Sequence, residues 1–361
     1  MSLNQENVRR SKSLLPAPNT KQTKTNQQTP HLKMSQASNH DTSVINWLLE
    51  ADASIRWQAM RDLLDKPESE WAAERKKVEF EGWGARLLSH QDEDGQWDGG
   101  SFVPRDFSAE KWKSEGQPWT STYHTLTKLR NLGLDPSSER AKRTVELIRK
   151  NCRWDHAGQP YWEGEVEECI NGQTIATGAY FGVDVSAIVN RLLEGRLEDG
   201  GWNCERENGS VRSSFDSTIS VLEGLLEYER VTGGTPESIA ARKSGEEYLL
   251  KRQLFRRLTN GEVVDKKYLE LFEPGQWHYD VLRALDYFRC QSVLTGSIPD
   301  PRLHQAINHV RSKRRDDGKW AVDQEDKGRA WFKTHEGVGK PSPWVTLRAM
   351  RVLKWWDERF H

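Results

Sequence analysis

The 361-residue sequence lacks several features that would assign a protein to a class directly. It holds no apolar run near the roughly 18 residues that a membrane-spanning helix needs, which argues against a transmembrane segment. It also lacks a strong charge of either sign, because the formal net charge is −1. This balance argues against nucleic acid or an anionic membrane surface as a general partner. Neither the composition nor the charge of the chain indicates a particular oligomeric state.

Cysteine is scarce, and its four copies lie far apart without a C-x-x-C pair. Residues 1–40 show no apolar segment of the kind found in a secretory signal. They are rich in Gln, Asn, Ser, Thr, Pro and Lys, which predicts a disordered N-terminal extension. We therefore expect reduced thiols and a cytoplasmic protein. Translation can start at Met1 or at Met34.

Tryptophan is abundant, with 16 copies against 10 Phe and 8 Tyr. Three of these tryptophans end related stretches: QDEDGQW (91–97), LEDGGW (197–202) and RRDDGKW (314–320). The repeated residues are Gln91, Asp94, Gly95, Trp97, Asp199, Gly200, Trp202, Asp317, Gly318 and Trp320. Glycine allows a tight turn, aspartate hydrogen-bonds nearby amides, and tryptophan offers a wide packing surface. We expect these tryptophans to be buried between neighbouring helical hairpins.

Helical patterns flank these loops, and strand-like alternation is scarce. Amphipathic segments come before the loops at 186–197 and 303–315. Others follow the loops or lie between them, at 43–64, 121–132, 217–228, 278–288 and 344–356. Two degenerate loops, 154–162 and 257–264, complete the series. The sequence predicts an all-α domain over residues 41–361, built from repeated helical hairpins.

The stretch QDEDGQW resembles the QW repeat of squalene and oxidosqualene cyclases, and DGGW (199–202) resembles loops of protein prenyltransferase β subunits. The resemblance implies an α/α toroid of about five to six hairpins around a central lumen. It also implies an isoprenoid-handling enzyme, an acid-initiated cyclase or a transferase, as the leading function. Two alternatives stay open: a toroid that binds a small polar or anionic ligand in its lumen, and a protein-interaction scaffold.

One stripe of each inner helix faces the lumen of such a toroid. Aligning four helices on Leu126, Leu222, Leu282 and Leu347 places polar residues at shared heights. The candidate ligand-binding residues are Glu223, Asp280, Arg283, Tyr287 and Arg348. Two arginines at one height suit a carboxylate or phosphate, which predicts a polar lumen. The alternatives are that each arginine pairs with Glu223 or Asp280, or that the stripe faces outside water.

The same resemblance suggests two catalytic residues, Asp216 as the acid and His124. Segment 215–225, FDSTISVLEGL, aligns with the cyclase motif D-x-D-D-T-A and places Asp216 at the acid that protonates the substrate alkene. Ser214 and Ser217 stand where that motif has its other acids. The alternative is that Asp216 only caps the helix that follows it.

The prenyltransferase comparison suggests a zinc site. YHT (123–125) places His124 at the zinc histidine and Asp216 at the zinc aspartate, while Thr218 replaces the zinc cysteine. Cys169 is then the thiol that would complete a set of His124, Cys169 and Asp216. The alternative for His124 is a hydrogen-bonded structural residue.

Overall fold

The computed structural model describes residues 41–360. This part of the chain is helical and contains isolated β-bridges but no named strand. None of its helices has both the length and the hydropathy that crossing a bilayer demands. The expected disorder of residues 1–40, and the choice between Met1 and Met34, lie outside the described residues.

Fourteen α-helices cover the described residues. In chain order they are α1 (41–49), α2 (Ala53–Asp62), α3 (Glu68–Lys76), α4 (Gly82–Ser89), α5 (Ala109–Glu115), α6 (Thr122–Leu132), α7 (Glu139–Asn151), α8 (Glu168–Tyr180), α9 (Ser186–Glu194), α10 (Phe215–Thr232), α11 (Pro236–Lys251), α12 (Val281–Thr295), α13 (His304–Ser312) and α14 (Pro343–Arg359).

Six of these helices form a closed ring. Helices α6, α8, α10, α12 and α14 pack side by side in that order, and α14 also packs on α2. Helix α2 returns to α6 through the indole of Trp57, which donates to the carbonyl of Leu132 at 2.9 Å. Helices α9, α11 and α13 pack against this ring. The predicted all-α toroid of helical hairpins is confirmed.

The closest approach in the ring is between α8 and α10, at two glycines. A Cβ atom on Gly172 would lie 2.4 Å from the carbonyl oxygen of Ser220. A Cβ atom on Gly224 would lie 2.3 Å from the carbonyl oxygen of Gly172. Any side chain at either position would push the two helices apart. Helix α8 is consequently buried over most of its length.

Trp97, Trp202 and Trp320 make the same pair of hydrogen bonds in their three loops, which alternate along the chain with the two degenerate loops. Each indole N–H donates at 2.7 Å to the carbonyl of the residue ten positions earlier: Leu87, Leu192 and Val310, respectively. Each backbone N–H donates to a threonine hydroxyl in the first turn of the following ring helix: Thr122, Thr218 and Thr346. The three side chains are no more than 1% exposed. Their expected burial is confirmed.

The Asp-Gly pairs before these tryptophans form the turns. Gly95, Gly200 and Gly318 have φ of 90°, 103° and 80°, the left-handed region that favours glycine. Asp94 and Asp317 each accept the N–H of the residue two positions later. Asp199 instead accepts from the backbone and hydroxyl of Ser213. Gln91 supports the first turn by donating to the carbonyl of Gly95 at 3.0 Å.

Replacing Trp202 by alanine should lower the free energy of unfolding by roughly 3–5 kcal/mol, because the change removes a large buried side chain and leaves a cavity. It also leaves the carbonyl of Leu192 without its indole donor. Urea denaturation monitored by circular dichroism measures the difference. The control is Trp112→Ala, since Trp112 is 44% exposed. Equal stability of the two variants would contradict the structural role of Trp202.

Candidate functional site

The ring surrounds a cavity of about 970 Å³. All six ring helices contribute side chains to its lining, together with loop residues such as Phe102 and Trp277. The volume lies at the upper end of the range for small-molecule sites, roughly 300–1,000 Å³. This cavity is the candidate ligand site, at the place where the sequence predicts a lumen.

Aromatic side chains form much of the cavity wall. They are Trp57, Trp83, Phe102, Trp112, Tyr123, Tyr180, Trp277, Tyr287 and Trp344. The sequence alignment places only Tyr287 on the lumen stripe. Two of the others, Phe102 and Trp277, come from loops. Two more, Tyr123 and Trp344, lie beside the projected stripe. The remaining four lie on helices α2, α4, α5 and α8, which the alignment did not include. The cavity is therefore more apolar than the sequence predicts.

Charged residues from α2, α12 and α14 meet on another part of the wall. This arginine cluster consists of Arg61, Arg289, Arg348 and Arg351 with the carboxylates of Asp62 and Asp286. Arg351 is central, because it binds Asp286 and also donates to Gln58 at 2.8 Å. Among the described residues, no third carboxylate pairs with these four arginines. The four guanidinium groups thus outnumber the two carboxylates that pair with them. Burial raises the pKa values of the Asp280 and Glu273 carboxyl groups, and the charge of Arg348 also acts on both groups and opposes this rise.

Asp286 is strongly held in its ionised form. Burial alone would raise the pKa of its carboxyl group, but the charges of Arg351 and Arg289 and the hydrogen bond from Arg351 bring that pKa well below its usual range. Asp286 accepts from Arg289 at 2.8 Å and from Arg351 at 2.9 Å. The carboxylate of Asp286 is thus already paired with Arg289 and Arg351.

Arg348 has guanidinium donors that no described residue accepts. Its Nε lies 3.8 Å from Asp286 Oδ2, beyond hydrogen-bond distance. Lys128, on α6, likewise has no hydrogen-bond acceptor or ion pair among the described residues, and it also lines the cavity. Burial lowers the pKa of Lys128, partly offset by the charge of Glu273. These two side chains present cationic donors to the cavity.

Arg283 differs from Arg348, because its donors are fully used. Its Nε and one terminal nitrogen bind both carboxylate oxygens of Glu223, at 2.8 and 2.7 Å. The other donors reach the carbonyls of Trp277 and His278 and the hydroxyl of Ser220. Of the predicted anion-binding pair, Arg348 thus has donors free of described acceptors and Arg283 does not, and anion binding by the pair stays a prediction. The alternative, in which Arg283 pairs with Glu223, is confirmed.

Two further predicted ligand residues, Asp280 and Tyr287, use their polar groups in hydrogen bonds within the protein. Asp280 is the N-cap of α12 and accepts from the backbone of Arg283 at 2.7 Å. It is 1% exposed and does not line the cavity. Burial raises the pKa of its carboxyl group. Tyr287 lines the cavity with its ring, while its hydroxyl donates to Glu246 at 2.7 Å.

Asp216 lies in the first turn of α10 but does not cap it. The N-cap is Ser214, whose hydroxyl accepts from the backbone of Ser217. The carboxylate of Asp216 instead accepts from the backbone of Tyr279 at 2.8 Å and from the hydroxyl of Tyr268 at 3.4 Å. Asp216 is not among the residues that line the cavity. The N-cap alternative is wrong, and the proton-donor role stays a prediction.

His124 lines the cavity within an aromatic group formed by Phe102, Trp119 and Tyr123. Burial lowers its pKa to about 3, against an opposing backbone hydrogen bond at Phe102. The imidazole is therefore neutral at ordinary pH.

The structure does not bring His124, Cys169 and Asp216 together. Among the described residues, the ligand atoms of Cys169 group only with those of Glu167 and Cys204. The predicted zinc set is wrong because Asp216 is held by Tyr279 and His124 is enclosed by aromatic rings.

Comparison with family models and with curated proteins finds no match. The solved structures that are similar to this chain include the following two. One is a protein from Actinoplanes, 16% identical, with a TM-score of 0.43, covering 85% of this chain and 90% of the other. The second is a variant of a type II terpene cyclase from Scytonema in complex with geranylgeranyl dihydroxybenzoate. It is 13% identical, with a TM-score of 0.46, covering 91% of this chain and 99% of the other.

His124 should make the protein sensitive to acid. The unfolded imidazole binds a proton below about pH 6.5, whereas the folded one binds it only near pH 3. Stability is therefore lost as pH falls between these values, by up to about 1.4 kcal/mol per pH unit. Urea denaturation between pH 7 and 4.5 should show a shallower pH slope for His124→Gln than for wild type. His156→Gln, at an exposed position, is the control and should keep the wild-type slope.

Proposed function

We propose that the central cavity binds an amphipathic organic anion, with its carboxylate or phosphate group on the arginine cluster and an isoprenoid or similar hydrocarbon part against the aromatic wall. The observation that carries this proposal is the charge of the cluster. Four guanidinium groups face two carboxylates, and the donors of Arg348 have no acceptor among the described residues.

Burial makes this surplus of guanidinium groups costly without a counter-ion. Arginine stays protonated in proteins, so the cluster cannot relieve its repulsion by losing a proton. Arg351 and Arg289 are each 8% exposed, which limits compensation by bulk water. A carboxylate or phosphate accepts two parallel hydrogen bonds from a guanidinium group. Such a group beside Arg348 would accept from the donors that no described residue uses.

The rest of the wall supports a ligand with an apolar part. Phe102, Tyr123 and Trp277 contribute rings to the same cavity, and aromatic rings gain from covering hydrocarbon. A small inorganic anion would leave this surface in contact with water. A neutral hydrocarbon would leave the guanidinium donors of Arg348 without an acceptor. An anionic isoprenoid satisfies both parts of the wall.

The proposal predicts that Arg348→Gln weakens the binding of geranylgeranyl diphosphate by about ten- to a hundredfold, because a hydrogen bond to a charged group contributes about 1.5–3 kcal/mol. Isothermal titration calorimetry measures the affinity. The matched control is Arg149→Gln, since Arg149 is an exposed arginine on α7 paired with Glu146. Geranylgeraniol and inorganic pyrophosphate test the two halves of the ligand separately, and both should bind more weakly than the diphosphate ester.

Equal affinity for geranylgeraniol and geranylgeranyl diphosphate would overturn the anionic part of the proposal. Equal affinity for pyrophosphate and the ester would overturn the hydrocarbon part. An unchanged affinity in Arg348→Gln would move the anion away from the arginine cluster.

The proposal also makes a prediction about Asp216. Because its carboxylate binds Tyr279 and does not line the cavity, we expect no cyclised hydrocarbon from squalene with either wild type or Asp216→Asn. Gas chromatography with mass spectrometry detects such products. A cyclised product that wild type makes and Asp216→Asn does not would establish an acid-initiated cyclase instead.

A further inference from the structure

Two cysteines and a glutamate lie close together at the cavity wall. They belong to other segments of the chain than the arginine cluster, which lies on α2, α12 and α14. Glu167 and Cys169 lie at the start of α8, and Cys204 lies in the short turn that follows Trp202. One ligand atom from each falls within 4.8 Å of the other two. All three residues line the cavity. Within residues 41–360 this is the single trio of His, Cys, Asp or Glu that meets this distance condition.

The spacing of these atoms suits a tetrahedral metal site. The Sγ of Cys169 lies 3.5 Å from Oε2 of Glu167. In a tetrahedral zinc site with Zn–S near 2.3 Å and Zn–O near 2.0 Å, the edge between sulfur and oxygen is about 3.5 Å. The two residues therefore stand at a separation that needs little rearrangement to share one ion.

The electrostatics of the site also favour a cation. Neither Glu167 nor the adjacent Glu205 forms an ion pair with any described residue. Arg206 is adjacent in sequence but binds Glu168. The described residues thus leave two acids beside two thiols without a positive partner.

The fold holds the two thiols close to each other, and the thiolate is the form of cysteine that binds metals. The backbone N–H of Cys204 donates to the hydroxyl of Ser217 at 3.1 Å. This bond fixes the turn against α10, and the glycine contact between α8 and α10 brings Cys169 to the same place.

We propose that Glu167, Cys169 and Cys204 form a binding site for a thiophilic divalent cation, with zinc as the ion that their sulfur and oxygen atoms suit best. Three protein ligands leave a fourth position, and it faces the cavity because all three residues line it. This set shares only Cys169 with the set expected from the sequence. A disulfide between Cys169 and Cys204 is the competing state, but it would leave the charges of Glu167 and Glu205 unbalanced.

The test is metal binding by the full chain purified without chelator. We expect about one zinc per chain by elemental mass spectrometry, and a cobalt-substituted protein with visible ligand-field bands and a thiolate-to-cobalt charge-transfer band. Cys204→Ser should weaken zinc binding by more than about a hundredfold, since loss of a second-shell partner alone costs about 10–100-fold. Glu167→Gln should weaken it while keeping both thiols.

Cys290→Ser is the matched control and should bind zinc as wild type does, because Cys290 lies on α12 beside Arg289. Arg348→Gln should also keep the metal, so that failure of the anion proposal and failure of this one are distinguishable. Circular dichroism and urea denaturation check that each variant is folded.

Three results would overturn the proposal. One is the absence of zinc and cobalt binding by a folded wild-type protein whose thiols are reduced. Another is zinc binding that Cys204→Ser and Glu167→Gln leave unchanged. The third is a wild-type mass lower by two hydrogen atoms, with two thiols unreactive until reduction, which would establish the disulfide.

Discussion

The toroid depends on one repeated interaction, the pair of hydrogen bonds made by a buried tryptophan between two helices. In each loop the indole N–H binds the end of one helix, and the backbone N–H binds a threonine at the start of the next. These bonds also give the two polar N–H groups of each buried tryptophan a hydrogen-bond acceptor. The tryptophan therefore joins the end of one helix to the first turn of a ring helix in each of these three loops.

The sequence predicts the parts of the fold and of the cavity that depend on residues close together in the chain or on helices aligned in register. The turn glycines, the buried tryptophans and the contact between Glu223 and Arg283 follow from local pattern or from helices in register. Arg351 and Asp286 were missed because of the spacing chosen for the stripe in the sequence alignment. The stripe continued from Arg283 to the residue four positions later on α12, and from Arg348 to the residue four positions later on α14. The residues three positions later, Asp286 and Arg351, lie on the same helix face equally well.

The loops account for the other differences. Cys204 lies in a turn with no periodicity, so nothing in the sequence indicates that it approaches Cys169. Asp216 was expected as an acid or a cap, but Ser214 starts the helix two residues earlier. Its partner Tyr279 is 63 residues away. Contacts of that kind depend on how whole hairpins pack, which no local pattern specifies.

The arginine cluster also sits at the seam where the ring closes. Arg351 on the last ring helix binds Asp62 on the first, 289 positions apart in the chain. Joining such distant segments carries the largest loop-closure entropy in the described fold. An anion held by arginines of α2, α12 and α14 would bind only the joined ends, so its affinity adds directly to the stability of closure by mass action. The bound ligand would then hold the first and last ring helices together, and in a chain without it the contact between α14 and α2 would be the first to separate.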